Sequence, residues 1–294
     1  MTLHVKRLPD FVVIGAMKCG TSTLHEQLAA QPGVFMSTPK EPNFFSDDDG
    51  YSRGLEWYCS LFESAPREAL CGESSTHYTK LPTHPATISR MKLHLKTTKF
   101  IYIMRHPIDR LMSQYAHEWT KRRVSGPISE AIQTNPELVA YSQYAMQLEP
   151  YLEYFGPDRV LPVMFDALIT RSQETLNQVC QFIGLGGTPQ WDDAKAHENA
   201  SSQRLRTSPV RDWLADAPLL RSIRHRMIPP SMNERIKRLW KLNEQPRLLP
   251  EEGMQLKDIF DRDLERLGLW LGLPISCDNF KDTGRTATPT WQRL

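Results

Sequence analysis

A glycine-bearing loop between an apolar run and a helical pattern constrains the fold of this chain more than any other feature. Phe11–Ile14 is a continuous apolar run, which is typical of a parallel strand covered on both faces. Gly15–Ser22 follows as a loop, and Thr23–Ala30 has helical spacing that ends before Pro32-Gly33. A strand that leads through such a loop into a helix gathers backbone N–H groups around an anion. The segment therefore predicts a phosphate site in an α/β fold.

The loop differs from the nucleotide-triphosphatase pattern G-x-x-x-x-G-K-[ST] in the position of its lysine. Gly15 and Gly20 have the expected spacing, but Thr21 stands where the lysine belongs, and the lysine is Lys18. The sequence has no clear strand-ending aspartate of the kind that holds magnesium in those enzymes. We therefore expect the loop to bind a phosphorylated nucleotide without a bridging metal. The alternative is an ordinary turn between a strand and a helix.

Two further apolar runs predict the rest of the sheet. Phe100–Met104 and Val160–Phe165 are predicted strands, and each is followed by a helical pattern. The first helix is predicted from Pro107 to about Arg123, and the second over Gln173–Ile183. Strands that alternate with helices predict an α/β fold with three layers around a central parallel sheet, similar to P-loop proteins.

The chain length fits a single domain. At 294 residues the chain is near the upper size of one hydrophobic core, and we expect one domain over 1–294. Gly184–Gly187 is the clearest internal boundary. We expect an α/β core over 10–185, a mainly helical region over 186–277 and a flexible tail over 278–294.

The composition excludes several classes of protein. A net charge of +2 provides no global attraction to nucleic acid, and no apolar run approaches the ~20 residues of a membrane span. The five cysteines are scattered, without a C-x-x-C pair, which disfavours a disulfide framework or a zinc site and fits a reducing compartment. We therefore expect a cytoplasmic protein without a membrane span or a nucleic-acid partner. Its oligomeric state does not follow from the sequence.

A second set of residues points to another anion contact. Arg105 ends the predicted strand 100–104, and ligands of α/β sheets bind at the carboxyl ends of strands. Ser113 lies six residues after Pro107, roughly 9 Å along the helix. We expect Arg105 and Ser113 to hold one anion from two sides. Arg110 is either a further cation of this site or a solvated helix charge.

The two motifs together resemble the sulfotransferase family, whose enzymes use 3′-phosphoadenosine 5′-phosphosulfate (PAPS). In that family the first loop holds the 5′-phosphosulfate, and an arginine–serine pair holds the 3′-phosphate. The resemblance covers residues 10–185. It implies that PAPS is bound by Lys18, Cys19, Gly20, Thr21, Ser22, Thr23, Arg105 and Ser113.

Three stretches resemble the heparan-sulfate branch of this family: Pro39–Phe45, Tyr51–Tyr58 and Gly72–Tyr78. The glutamate of the first stretch is the proposed base in that branch, and it matches Glu41. Because Pro42 follows, we expect an extended backbone at Glu41. The small-molecule branch of the family uses a histidine as base, which makes His77 the rival candidate.

The sequence also departs from the branch at several positions. Several members have a lysine where this chain has Ser74, and the glycine- and lysine-rich loop that closes over the nucleotide is missing. We expect Ser202 and Arg204 to contact the nucleotide in its place. The run Arg204–Lys241 carries ten Lys or Arg and three acidic residues, so it is either a solvated helical face or a surface that attracts an anionic acceptor.

The chemistry needs a cation for the leaving phosphate and a base for the acceptor proton. Lys18 suits the first role, and Glu41 or His77 the second. We therefore predict a sulfotransferase that moves a sulfuryl group from PAPS to a hydroxyl of a carbohydrate or secondary metabolite, without a metal. A magnesium-dependent P-loop kinase for small molecules and a non-catalytic nucleotide-binding protein are the alternatives.

Overall fold

A five-stranded parallel sheet forms the centre of the protein. The computed structural model describes residues 7–194 and 248–292. The strands are β1 (Phe11–Gly15), β2 (Val34–Met36), β3 (Leu70–Ser74), β4 (Lys99–Met104) and β5 (Val160–Met164). Their order in the sheet is β2-β3-β1-β4-β5, and all four pairings are parallel. The predicted α/β fold class with a parallel sheet is thereby confirmed.

Helices follow the strands and cover the sheet. The helices within the described residues are α1 (Thr21–Ala29), α2 (Asp48–Ser52), α3 (Gly54–Ser60), α4 (Thr87–His94), α5 (Pro107–Thr120), α6 (Ile128–Thr134), α7 (Glu137–Ala140), α8 (Tyr144–Phe155), α9 (Phe165–Thr170), α10 (Ser172–Ile183), α11 (Pro250–Leu271) and α12 (Phe280–Thr286). Short 3-10 turns span Thr76–Thr79 and Pro157–Arg159. The helices predicted after the three apolar runs are present, with ends within three residues of the expected ones.

Tight packing explains the glycine at the middle of β3. Phe11 of β1 pairs with Gly72 of β3, and both lie in the buried centre of the sheet. A side chain at Gly72 would place its Cβ 2.2 Å from the Phe11 ring, so no larger residue fits there without displacing the ring. The parallel pairing continues through Val13 and Ser74, so the carboxyl ends of β1 and β3 lie side by side, where the loops of the candidate site begin.

The sequence patterns missed β2 and β3. Strand β2 has three residues, which is too short to show a hydrophobic periodicity in the sequence. Strand β3 reads Leu-Cys-Gly-Glu-Ser, and its polar Glu73 and Ser74 are fully buried. Burial of polar groups in a strand requires partners from elsewhere in the fold, and hydropathy patterns do not record such partners.

The end of the chain differs from the flexible tail expected over 278–294. Phe280 in α12 is fully buried, and α12 packs against α9. Trp291 donates its indole N–H to the carbonyl of Val160 at 2.6 Å. Two aromatic anchors therefore hold residues 278–292 against the sheet edge, although the segment is polar overall.

The structure also bears on the cysteines, on a membrane span and on the predicted contacts after residue 194. All five cysteines are buried and free. Among residues 7–194 and 248–292, no helix is both long and apolar enough to cross a membrane. The predicted nucleotide contacts Ser202 and Arg204 and the basic run Arg204–Lys241 lie outside the described residues.

Candidate functional site

A cavity of about 760 Å³ opens at the carboxyl ends of the central strands. The predicted residues among those that line it are Lys18, Gly20, Thr21, Ser22, Thr23, Glu41, His77, Arg105 and Ser113. These residues come from the β1–α1 loop and the first turn of α1, the loop after β2, the turn after β3, the end of β4 and the middle of α5. The fold thus brings into one cavity both sets of residues that the sequence treated separately.

The loop after β1 leads into a helix terminus whose backbone N–H groups no side chain caps. Helix α1 begins directly after Gly20, no side chain caps it, and its first turn has no acidic residue. The N–H groups of a first helical turn and the helix dipole both favour a negative ligand. Gly20 has φ 84, and a Cβ there would lie 3.1 Å from the Phe165 ring. Lys18 has a φ of 73°, in the left-handed region. A lysine rarely adopts this backbone conformation unless the surrounding structure imposes it.

Cys19 does not line the cavity, although the sequence placed it among the donor contacts. Its side chain is fully buried, with Sγ 4.0 Å from the Tyr144 hydroxyl. Its backbone N–H donates to the Ala16 carbonyl at 3.2 Å, inside the loop itself. Burial raises the pKa of the thiol to about 11. Cys19 therefore contributes to the shape of the loop.

Arg105 and Ser113 lie on the same cavity, as the spacing predicted. The Arg105 guanidinium donates to the Lys18 carbonyl at 3.4 Å and lies 5.0 Å from the Phe165 ring centre. The phosphate loop and the end of β4 are thereby joined through one side chain. A ligand with two separated phosphate groups fits such an arrangement, because the helix terminus and the arginine provide two cationic positions.

Arg110 is neither a further cation of the anion site nor a solvated helix charge, the two roles that the sequence left open. Its guanidinium is fully buried and donates to the Ser142 hydroxyl, to the Gln114 side chain at 2.8 Å and to the Leu138 carbonyl at 2.7 Å. Its hydrogen bonds are thus directed into the scaffold. Arg110 joins α5 to the segment before α8 and does not line the cavity.

Glu41 has a conformation opposite to the one expected. The proline after it favours an extended backbone, but its φ is 59, in the left-handed region. Its backbone N–H donates to the Ser74 carbonyl at 3.0 Å, and Thr76 donates its hydroxyl to Glu41 Oε1 at 3.3 Å. Contacts with β3 and the following turn therefore override the local preference and aim the carboxylate into the cavity.

Lys40 connects the phosphate loop to the carboxylate. Its Nζ donates to the Ser22 hydroxyl at 2.7 Å and lies 3.6 Å from Glu41 Oε1. The sequence assigned no role to Lys40. One ammonium group thus holds the helix terminus of α1 and the candidate base at a fixed separation.

His77 is paired with Asp47 and stacked on a second histidine. Its Nδ1 lies 3.3 Å from Asp47 Oδ1, and its ring centre is 4.8 Å from that of His84, with the planes 19° apart. Burial lowers the pKa of both imidazoles, and the nearby Lys80 lowers both further, while Asp47 opposes these effects. His77 is therefore a neutral imidazole at the edge of the cavity near pH 7.

A buried carboxyl group supports the strand beside Glu41. Glu73 is fully buried and accepts hydrogen bonds from the hydroxyls of Tyr58 at 2.5 Å, Tyr78 at 2.9 Å and Ser75 at 2.8 Å. Burial raises the pKa of Glu73 to about 7, although the three hydroxyls lower it. This network positions the residues that follow β3, including those that hold Glu41.

Several polar residues of the cavity have no counterpart in the sequence predictions: Lys80, His117, Glu118, Lys121 and Arg123. Lys80 is largely buried, and burial lowers its pKa to about 8. Lys121 and Arg123 directly follow α5, the helix that carries Ser113, and this position in the sequence is the one signal that could have indicated them. No sequence signal indicated Lys80, because its burial depends on packing against segments distant along the chain, such as that of Tyr141.

Comparisons with known proteins agree on one family. The sulfotransferase domain family matches residues 8–212, more than half of the chain. Heparan sulfate glucosamine 3-O-sulfotransferase 3B1 of Mus musculus is 31% identical over 189 residues, which cover 61% of this chain and 47% of that protein. This chain therefore aligns with about half of the length of that relative.

Solved structures share the fold. A sulfotransferase from Alicyclobacillus acidocaldarius has a TM-score of 0.65 at 21% identity, with 92% of this chain and 98% of that chain covered. The mouse sulfotransferase SULT7A1, solved in complex with PAP, has a TM-score of 0.50 at 15% identity, with 96% and 90% covered. At such identities the likeness establishes a common fold.

Proposed function

This chain belongs to the sulfotransferase family, and we propose that it transfers a sulfuryl group from PAPS to a hydroxyl of a carbohydrate acceptor. The observation that carries this proposal is one cavity with two cationic positions and a carboxylate. The uncapped terminus of α1 and Arg105 provide the cationic positions, and Glu41 provides the carboxylate. A carbohydrate acceptor is supported by the similarity to heparan sulfate 3-O-sulfotransferases; a secondary metabolite is the other acceptor class to test.

The chemistry of the cavity fits the donor. PAPS carries a phosphosulfate at the 5′ position and a phosphate at the 3′ position, so it needs two anion sites. We assign the 5′ group to Lys18 and the first-turn amides of α1. We assign the 3′-phosphate to Arg105 and Ser113, which line the same cavity. The PAP complex of a mouse sulfotransferase with this fold supports the same class of donor.

The proposed reaction needs two groups from the chain. The acceptor oxygen bonds to sulfur as the bond between sulfur and the 5′-phosphate oxygen breaks, and PAP (adenosine 3′,5′-bisphosphate) leaves. Lys18 stabilises the charge that develops on this phosphate oxygen. Glu41 takes the hydroxyl proton of the acceptor, since its carboxylate lines the cavity and is held by Thr76. His77 is the alternative base.

The cations around the rest of the cavity suit an anionic acceptor. Lys80, Lys121 and Arg123 line it in addition to the residues assigned to the donor. Glu118, which lies 3.5 Å from Arg123, and Asp193 also line this part of the cavity, so the three cations leave an excess of one positive charge over the two carboxylates. An excess of positive charge concentrates an oppositely charged substrate near the reacting groups. We therefore propose that acidic carbohydrates are better acceptors than neutral ones.

A cytoplasmic location stays a prediction from the scattered cysteines.

The test is transfer of label from 35S-PAPS to pools of acceptors. We expect labelled product with acidic oligosaccharides, little with neutral sugars, and roughly 10²–10⁴-fold slower labelling with the Glu41→Gln variant. Phosphate transfer from ATP with magnesium, in place of sulfuryl transfer, would favour the kinase. Tight PAP binding without turnover of any acceptor pool would favour a non-catalytic nucleotide-binding protein.

A further inference from the structure

We propose that Asp47, His77 and His84 form a binding site for a divalent transition metal of the zinc type at the margin of the cavity. This site does not rest on the proposed function. The sequence disfavoured a zinc site because the cysteines are scattered, and that argument covers thiolate sites alone. Two imidazoles and a carboxylate form an equally suitable set of ligands.

The ligand atoms of the three side chains converge on one position. One ligand atom of each lies within 4.8 Å of the ligand atoms of the other two. Asp47 Oδ1 is 3.3 Å from His77 Nδ1 and 3.9 Å from His84 Nδ1. Ligands bound tetrahedrally to zinc at ~2.1 Å lie about 3.4 Å apart. The two N–O distances are therefore already within about 0.5 Å of this value, and the two imidazole nitrogens, at most 4.8 Å apart, reach it by side-chain rotation.

The three ligands come from segments that the fold holds independently. Asp47 precedes α2, His77 lies in the 3-10 turn Thr76–Thr79, and His84 follows that turn. The backbone N–H of Asp47 donates to the Asn43 carbonyl at 3.1 Å, and that of His84 donates to the Lys80 carbonyl at 3.0 Å. A site whose ligands are positioned by separate backbone hydrogen bonds loses little conformational freedom when a metal binds.

The surroundings leave room for further ligands. The side chains of Asp47, His77 and His84 are 40%, 30% and 19% exposed, so the cluster opens to solvent. His77 also lines the cavity, which directs one side of the cluster toward the acceptor space. Three protein ligands with a remaining open position are typical of zinc sites that bind water or a substrate oxygen. Lys80 is the nearby cation that opposes metal binding, and Asp47 supplies the compensating charge.

The donor set predicts which metals bind. Two nitrogen ligands favour zinc, cobalt, nickel and copper over magnesium and calcium, which prefer oxygen. The test uses untagged protein that has been stripped with a chelator and desalted. Cobalt is titrated first, since its visible absorption reports the coordination geometry, and zinc is then titrated by competition with a chromophoric chelator.

We expect one equivalent of cobalt with a low-symmetry visible spectrum, displacement by zinc, and no displacement by a hundredfold excess of magnesium. His84→Gln and Asp47→Asn should each weaken zinc binding at least about tenfold. The matched control is His94→Gln, which removes an imidazole that is hydrogen-bonded to Tyr51 at 3.2 Å, and it should leave the affinity unchanged.

A second measurement separates loss of the site from loss of the fold. Zinc should raise the melting temperature of the parent protein and of His94→Gln, since a ligand that binds the folded state stabilises it. The same addition should not raise that of a folded His84→Gln variant. Absence of stoichiometric cobalt or zinc binding overturns the site. Equal zinc affinity in the parent and in the ligand variants does so as well, because the metal would then be held by other residues.

Discussion

The hydroxyl of Tyr144 holds the backbone of Arg105 from both sides. It accepts a hydrogen bond from the Arg105 N–H at 3.2 Å and donates one to the Arg105 carbonyl at 2.5 Å, although the two residues are 39 positions apart. Tyr144 is fully buried at the start of α8, and the Cys19 thiol lies 4.0 Å from the same hydroxyl. One phenol thus positions the end of β4 relative to the phosphate loop.

Replacement of Tyr144 by Phe should therefore weaken binding of PAP. The variant keeps the packed ring but loses both hydrogen bonds to Arg105, each worth on the order of 1 kcal/mol. We expect a loss of affinity of about five- to thirtyfold, measured by calorimetry. Tyr151→Phe is the control, since its buried hydroxyl donates to the Tyr78 carbonyl at 2.9 Å, away from Arg105. Equal losses in the two variants would contradict a positioning role for Tyr144.

Discrimination between nucleotides tests the second anion position. Adenosine 3′,5′-bisphosphate should bind at least ~100-fold more tightly than adenosine 5′-monophosphate, because Arg105 and Ser113 would each add a charge-assisted contact of about 1.5–3 kcal/mol. The Ser113→Ala variant should lose part of this ratio and keep its affinity for the monophosphate. Equal affinities of the parent protein for the two nucleotides, measured by calorimetry, would remove Arg105 and Ser113 from the donor site.

The candidate base is tested by a conservative substitution. Glu41→Gln retains the size of the side chain but takes up no proton, so turnover should fall by roughly 10²–10⁴ while PAP affinity stays nearly constant. Lys18→Ala should lower both PAP affinity and turnover, because the ammonium would contact the phosphosulfate in both states. His77→Ala should cost much less than Glu41→Gln. Steady-state kinetics that reverse this order would identify His77 as the base.

Magnesium dependence distinguishes sulfuryl transfer from kinase chemistry. Lys18 and the amides of α1 are proposed to neutralise the donor, so the rate with PAPS should be unchanged between EDTA and added magnesium. The measurement is initial rate with a saturating acceptor under both conditions. Activity that EDTA abolishes and magnesium restores would assign the loop to a nucleotide triphosphate.

The buried Glu73 predicts how stability depends on pH. Its pKa is about 7 in the folded protein and 4.5 in the unfolded chain, so the folded state retains a proton that the unfolded state has lost between these values. The free energy of unfolding should therefore fall as pH rises from 4.5 to 7, by about 1.4 kcal/mol per unit and on the order of 3 kcal/mol in total. Below pH 4.5 this contribution is fully present.

Urea unfolding of Glu73→Gln at pH 5, 6, 7 and 8 tests this dependence. The variant lacks the titrating group, so its stability relative to the parent should improve up to pH 7 and then level off. Glu174→Gln is the control, since that side chain is 72% exposed, and its curve should run parallel to that of the parent. A constant difference between Glu73→Gln and the parent would contradict the raised pKa.

The sequence by itself determined the glycine-bearing loop between the first strand and its helix, the three apolar strands and the presence of Arg105 and Ser113 at one cavity. Each of these features is encoded within a short stretch: Gly15 and Gly20 at a fixed spacing, buried strands as apolar runs, and a helix that starts at Pro107. Local patterns of this kind follow from backbone geometry and burial, which act over a few residues. The resemblance to sulfotransferases rested on the same local stretches, and the family match confirmed it.

Only the tertiary structure decided how the other groups of the site are held. The left-handed backbone of Glu41, the burial of Lys80 and Glu73 and the contact of Tyr144 with Arg105 all depend on segments distant along the chain. The cluster of Asp47, His77 and His84 likewise spans three segments. No periodicity connects such residues, because their proximity arises when parallel strands bring their carboxyl ends to one edge of the sheet.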